Sequence, residues 1–387
     1  MQAADRSSAA ESTATGKPAA VRGPWWPAAV GLSALLAAIN LLAGVSGGLA
    51  RLGLPVPSAA LSVHGAVMAC GFFGTLIALE RAVALRRLAG LIAPLAAAIG
   101  GLLAWTLGSA AAAQAAWGLA ATALLGLYLT AGMTRAWSLP LAIESAAALC
   151  WAAGTAAWAG GGLAAAVHGW MAFLVLTIGA ERRELTQMVR LPLSAQRAFL
   201  AIIGVALVSV ALALASTIGR IDPGHWPAAL WWASCAALAV WLLRWDIAPR
   251  KWRSPGWLGH TAQCLSVGYV WLLAGAMLGL AGLAGFGGAA PLALHAVLLG
   301  FVFAMVFGHA PIILPALARI RPVYSPLARW PIWILSASLV LRGAALAAGS
   351  ATALAVAGAG HALAIGWFAA VMIGGVVRSR ARPSAAN

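Results

Sequence analysis

Twelve apolar runs, each close to the length needed to cross a bilayer, leave this chain few folds to choose from. A helix rises about 1.5 Å per residue, so about 20 apolar residues span a hydrocarbon core about 30 Å thick. Runs of that kind lie at 26–49, 59–80, 89–109, 113–133, 139–158, 161–180, 197–218, 226–244, 260–284, 290–314, 331–349 and 353–377. Only 8% of the residues are charged and the mean hydropathy is +0.93, where a soluble domain carries roughly a quarter charged residues. A soluble fold of 387 residues could not cover so much apolar surface. The expected fold is an all-α polytopic membrane protein, with residues 25–378 forming a single twelve-helix domain. Residues 1–24 are small, polar and weakly patterned and lack the apolar stretch of a signal peptide, so they are expected to form a disordered cytoplasmic tail. Residues 379–387 are expected to form a second, short tail.

The net charge of +16 would suit a nucleic-acid binder, but its distribution does not. Lys and Arg fall in short clusters between the apolar runs, which is how membrane proteins set their orientation. With both termini on the cytoplasmic side, 21 of the 24 basic residues fall on inner segments, and only Arg51, Arg220 and Arg342 fall outside. One missed or extra span would scramble the later part of that alternation. The natural partner is therefore the lipid bilayer, and nucleic acid is not expected. Trp25, Trp26, Trp226, Trp231 and Trp257 fall near span ends, as interfacial anchors do.

Intramembrane carboxylates are scarce. Glu80, Glu181 and Glu184 sit beside Arg81, Arg182 and Arg183 at inner helix ends, where local ion pairing is expected. Glu144 lies near the inner surface without an obvious partner and could belong to a proton path. Cys70, Cys150, Cys235 and Cys264 form no CxxC motif and read as buried small hydrophobes. No Ser–His–Asp set, HExxH or phosphate loop is present, which argues against hydrolytic chemistry.

The histidines carry the functional signal. His64, His168, His295 and His361 each sit a turn or two inside the outer end of their runs. His64 and His361 precede the first inner basic residue by 17 positions, and His168 precedes it by 14. Those spacings put the rings roughly 21–26 Å above the inner face, in one layer. Neutral imidazole is the commonest metal ligand and costs less to bury than a charge. The expectation is haem or metal ligation, with interhelical hydrogen bonding as the competing explanation. His309 follows His295 by 14 residues, a spacing that on one helix can carry two stacked haems, but prolines in GHAPIILP are expected to break the helix there. His260 could partner His309, and His225 lies in an outer connection. Gly65, Gly71, Gly74, Gly169, Gly300 and Gly308 suit close packing of helices or of a flat macrocycle.

The second and sixth runs both begin Val-His-Gly, pass through Thr75 or Thr177, and end Glu-Arg. The tenth begins Leu-His-Ala. A histidine thus recurs on every fourth helix, as a unit of four helices used three times around a pseudo-threefold axis would give. In these features the chain resembles subunit I of the haem–copper oxidases. It also resembles the NnrS family of haem- and copper-containing bacterial membrane proteins associated with nitric oxide metabolism. The resemblance implies non-covalent b-type haem held by His64 and His295. It implies His168 as a copper ligand, while His361, by its depth, and His309, by its spacing from His295, are further candidate metal ligands. It also implies a bacterial inner-membrane location, a redox partner protein, and a role in nitric oxide or respiratory electron metabolism, at most as a degenerate oxidoreductase. The departures are specific: the sixth run has no Tyr four residues after its His, the seventh has no His, and the tenth has one outer His rather than a pair. They speak against a full copper site, a second five-coordinate haem and oxygen reduction. A secondary transporter or metal permease is the alternative, since twelve spans suit one.

Overall fold

The computed structural model describes residues 25–57, 59–85, 88–186, 190–219, 222–318 and 322–381. Among them every long element is a helix. Twelve helices are long and apolar enough to cross a membrane: α1 Trp26–Ala50, α2 His64–Leu85, α3 Leu88–Thr106, α4 Ala110–Arg135, α5 Leu139–Ala159, α6 Leu163–Leu185, α7 Leu193–Thr217, α8 Trp226–Trp245, α9 Gly256–Leu283, α10 Ala289–Leu314, α11 Pro326–Ala347 and α12 Ala351–Arg380. Each corresponds to one apolar run. Several outlast their runs, because a helix continues through the interfacial region after hydropathy falls. Helix α12 ends at Ala381, so the first residues of the expected terminal tail are helical. The tail expected at 1–24 lies outside the described residues.

Short connections make sequence neighbours antiparallel. The larger arrangement follows from which helices touch beyond those hairpins. Helices α2, α6 and α10 touch one another pairwise. The other nine form a closed ring in the order α1, α3, α4, α5, α7, α8, α9, α11, α12 and back to α1. Every fourth helix is therefore interior, as the repeat of histidines suggested. Helices α2 and α6 are the most deeply buried of the set. Phe72 and Phe73 of α2 meet Phe303 of α10 with ring centroids 5.8 and 5.0 Å apart, and Phe303 leads on to Phe307.

Two interior helices are not regular. Val67–Phe73 in α2 and Ala296–Phe303 in α10 are π-helical, each placed just after the histidine, whereas α6 is α-helical throughout. A π turn holds one extra residue and rotates the helix before it relative to the helix after it. The backbone of α10 stays helical through Pro311 and Pro315 as far as Ala318. The expected break there does not occur, since a membrane helix can re-satisfy the few backbone groups a proline frees.

The glycines serve helix packing. A Cβ on Gly169 would lie 2.7 Å from the Cys150 carbonyl and from the Gly154 Cα, so α5 and α6 cross backbone to backbone. Gly74 makes room for Trp151, and Gly300 for Trp271. All four cysteines are free and buried. Trp25 and Trp226 are exposed, as anchors should be. Trp231 is instead buried, packed on His168 at 5.1 Å between ring centroids.

Candidate cofactor cavity

A cavity of about 380 Å³ opens at the end of the bundle opposite the basic clusters. It is bounded by the ends of α1, α2, α5, α6, α10, α11 and α12. His64, His295 and His361 all line it, together with Arg51 and Arg342. Its walls are otherwise apolar, with Met68, Phe73, Trp158, Trp170, Met171 and Phe303 among them, and no carboxylate faces it.

The three imidazoles share one hydrogen-bonding pattern. His64 donates from Nδ1 to the Gly44 carbonyl at 2.5 Å. His295 donates from Nδ1 to the Pro291 carbonyl, one turn back, at 2.8 Å. His361 Nδ1 lies 2.6 Å from Ser338 Oγ, which also lies 2.8 Å from the Leu335 carbonyl, so this Nδ1 too is engaged by the protein. A neutral imidazole that donates from Nδ1 carries its lone pair on Nε2. The His64 and His295 rings are thus held as the tautomer whose Nε2 can bind a Lewis acid, by the kind of outer contact that orients metal-ligating histidines. His361 Nε2 is buried and has no hydrogen-bond partner. His295 lies within electrostatic reach of both His64 and His361. Gly48 makes space for the His64 ring: a Cβ there would lie 2.9 Å from its Cε1.

His168 does not join them. Its neighbours Val167, Trp170 and Met171 line the cavity, but its ring packs on Trp231 and its Nε2 lies 3.0 Å from Ser209 Oγ on α7. Ser209 Oγ also lies 2.7 Å from the Ala206 carbonyl, so His168 is engaged by the protein through Nε2 rather than Nδ1. The ring thus stands apart from the three cavity imidazoles, and α6 lacks the π turn that follows the histidine in α2 and α10. His309 lies away from the cavity as well. Its Nδ1 donates to the Met305 carbonyl at 2.9 Å and its Nε2 accepts from Arg182 at 2.7 Å, so neither nitrogen is free for a metal. His260 donates from Nε2 to the Phe307 carbonyl at 2.9 Å rather than pairing with His309. His225 is exposed. Among the described residues no group of three or more His, Cys, Asp or Glu gathers closely enough to hold one metal ion.

Two arginines of the cavity were missed by looking only at histidines. Arg51 is held by the Leu61 and Ser62 carbonyls at 2.5 and 3.1 Å, and Arg342 has a buried Nε without a partner. A signal for both was present. They are two of the three basic residues that break the inward charge bias, and the third, Arg220, lies outside the described residues.

At the opposite end of the interior helices lies a second polar group. Arg81 Nη2 contacts Glu181 at 2.6 Å and Glu144 at 3.0 Å, joining α2, α6 and α5. Glu144 thus has the partner its sequence neighbourhood did not show, and the ion pairs cross between helices rather than linking sequence neighbours. Arg182 bonds His309, and Tyr269 donates to buried Asp246 at 3.0 Å. The stacked phenylalanines of α2 and α10 lie between this group and the cavity.

None of the curated proteins compared with the chain matches it. Residues 31–377, most of the chain, match the model of a domain of unknown function (DUF8744), and the chain belongs to that family.

Proposed function

We propose that the outer cavity binds a non-covalent b-type haem, which His64 and His295 would hold. The observation that carries this is the shared anchoring: three cavity histidines each have Nδ1 engaged by the protein, and the carbonyl partners of His64 and His295 leave Nε2 of those two rings as a lone pair. The donor set fits the group. Haem is a flat apolar macrocycle with two carboxylates, and the cavity offers apolar walls, two arginines and no acidic residue. Its volume falls in the range of about 300–1,000 Å³ usual for small-molecule sites.

When bound, haem supplies one-electron redox chemistry and binding of small ligands at iron. The chain's own part is orientation and exclusion. The Gly44 and Pro291 carbonyls hold the His64 and His295 rings, and Arg51 and Arg342 balance carboxylate charge. The aromatic and aliphatic walls keep water away. Copper has a less complete set, since His361 is the one further cavity imidazole and no cluster of three forms around it. The likeness to NnrS proteins extends the proposal to nitric oxide or respiratory electron metabolism in a bacterial inner membrane, with a redox protein as partner.

A secondary transporter or metal permease is the second reading. It is favoured by the buried Glu144 and its cross-helix contact with Arg81, because coupled transporters bury ionisable groups. The two separate in one preparation. Protein purified from haem-supplied cells is expected to show a Soret band that is lost in His64→Ala and in His295→Ala and retained in His168→Ala and His309→Ala. Absence of haem, iron and copper from carefully isolated protein would overturn the proposal. Metal uptake into vesicles by colourless protein would favour the permease.

A further inference from the structure

We propose that the Arg81–Glu144–Glu181 trio is a proton-binding site reached from the basic face of the bundle, with the proton carried on the Glu144 carboxyl. This site lies beyond the haem reading and does not depend on it.

The charge count comes first. Two carboxylates share one guanidinium nitrogen, Arg81 Nη2, so the trio holds one negative charge more than it balances. Charge inside a bilayer is costly unless neutralised, and carboxylates crowded at one point do not all ionise. Neighbouring charges do not supply the balance. Arg182 is engaged with His309 of α10 and lies near Tyr269 of α9, which holds Asp246 of α8. On α2, Glu80 adds further negative charge, and on α6, Glu184 is exposed at the rim beside Arg183. Helix α4 presents a neutral phenol, Tyr128.

Geometry then distinguishes the two carboxylates. Glu181 takes the shorter, directed hydrogen bond from Arg81 and is partly exposed. Glu144 is 3% exposed, and its Oε1 receives no directed hydrogen although Arg81 is 3.0 Å away. Protonation removes the charge that this buried, unpartnered oxygen would otherwise carry.

Independent support comes from Tyr128. Its hydroxyl is buried, with the residue 2% exposed, and has no hydrogen-bond partner. It lies within electrostatic reach of Arg81, Glu144, Glu181 and Glu80. A buried hydroxyl left without a partner can both donate and accept, as a mobile proton requires. Thr177 Oγ1, one turn before Glu181 on α6, is likewise buried and unpartnered, whereas its counterpart Thr75 bonds the Gly71 carbonyl. A metal ion suits the place less well than a proton, because a guanidinium already occupies its centre.

Infrared spectroscopy of the full chain in lipid nanodiscs, compared in H₂O and D₂O at neutral pH, tests this without any cofactor. The expected result is a protonated-carboxyl C=O band in the wild type that is lost in Glu144→Gln. It is also expected to be lost in Glu181→Gln, where Glu144 becomes the sole carboxylate contacting Arg81 and needs no proton. Tyr128→Phe is expected to keep the band and displace it. No band in the wild type, a full band in Glu144→Gln, or a full band in Glu181→Gln would each overturn the proposal. Because the band is assigned by its loss in Glu144→Gln and not by haem absorption, its failure and that of the Soret test are separate results.

Discussion

The imidazole of His168 belongs to the same sequence pattern as those of His64 and His295, yet its Nε2 is held by Ser209. Residue type and depth were legible because both follow from hydropathy and helical rise. The partners that decide a tautomer were not, because a backbone carbonyl such as Gly44 or a hydroxyl such as Ser338 belongs to a different helix and leaves no pattern. The same limit hid the Arg182 contact that closes His309 to metals. Gly48 tests the residue-level account. Its Cβ position lies 2.9 Å from His64 Cε1, so Gly48→Ala must displace the ring. Overpacking by a methyl group costs about 1–3 kcal/mol, which at about 1.4 kcal/mol per decade corresponds to a weakening of cofactor binding of about 5- to 140-fold. Haem titration of Gly48→Ala beside Gly118→Ala, where a Cβ meets nothing within 4 Å, checks it. Equal affinities would show that His64 does not hold the cofactor.

Helix registers explain why a threefold repeat gives two inward histidines rather than three. In α2 and α10 a π segment follows the histidine, and in α6 it does not. Both π segments contain a Gly-Phe pair, Gly71-Phe72 and Gly300-Phe301, which α6 lacks. Hydropathy cannot register such a turn, because an extra apolar residue in an apolar run changes no average. Deleting Ala69 from the α2 segment is expected to restore α geometry and to rotate His64 by about 100° relative to the inner half of the helix. The variant should keep the helical circular dichroism and gel-filtration profile of the wild type and lose the Soret band. A full-intensity band in a well-folded deletion would mean that the π turn does not aim the histidine.

For the whole molecule, twelve helices and their order were legible from apolar length and charge alternation alone. The ring of nine around three was foreshadowed only by the spacing of histidines. The alternation also makes a claim about sidedness that the packing of helices does not address. If basic segments stay on the cytoplasmic side, the connection between α7 and α8 faces outward and that between α8 and α9 faces inward. The four native cysteines are buried and should react little with a polar thiol reagent, which leaves a quiet background for single introduced cysteines. Gly224 and Arg253 are exposed in those two connections. With a membrane-impermeant maleimide, Gly224→Cys is expected to label in intact spheroplasts, and Arg253→Cys only after permeabilisation. The reverse pattern would place the histidine cavity on the cytoplasmic side and the Arg81 trio on the outer one. The proton proposed for Glu144 would then be drawn from outside the cell. Labelling of both positions from one side would instead break the twelve-span count between α7 and α9.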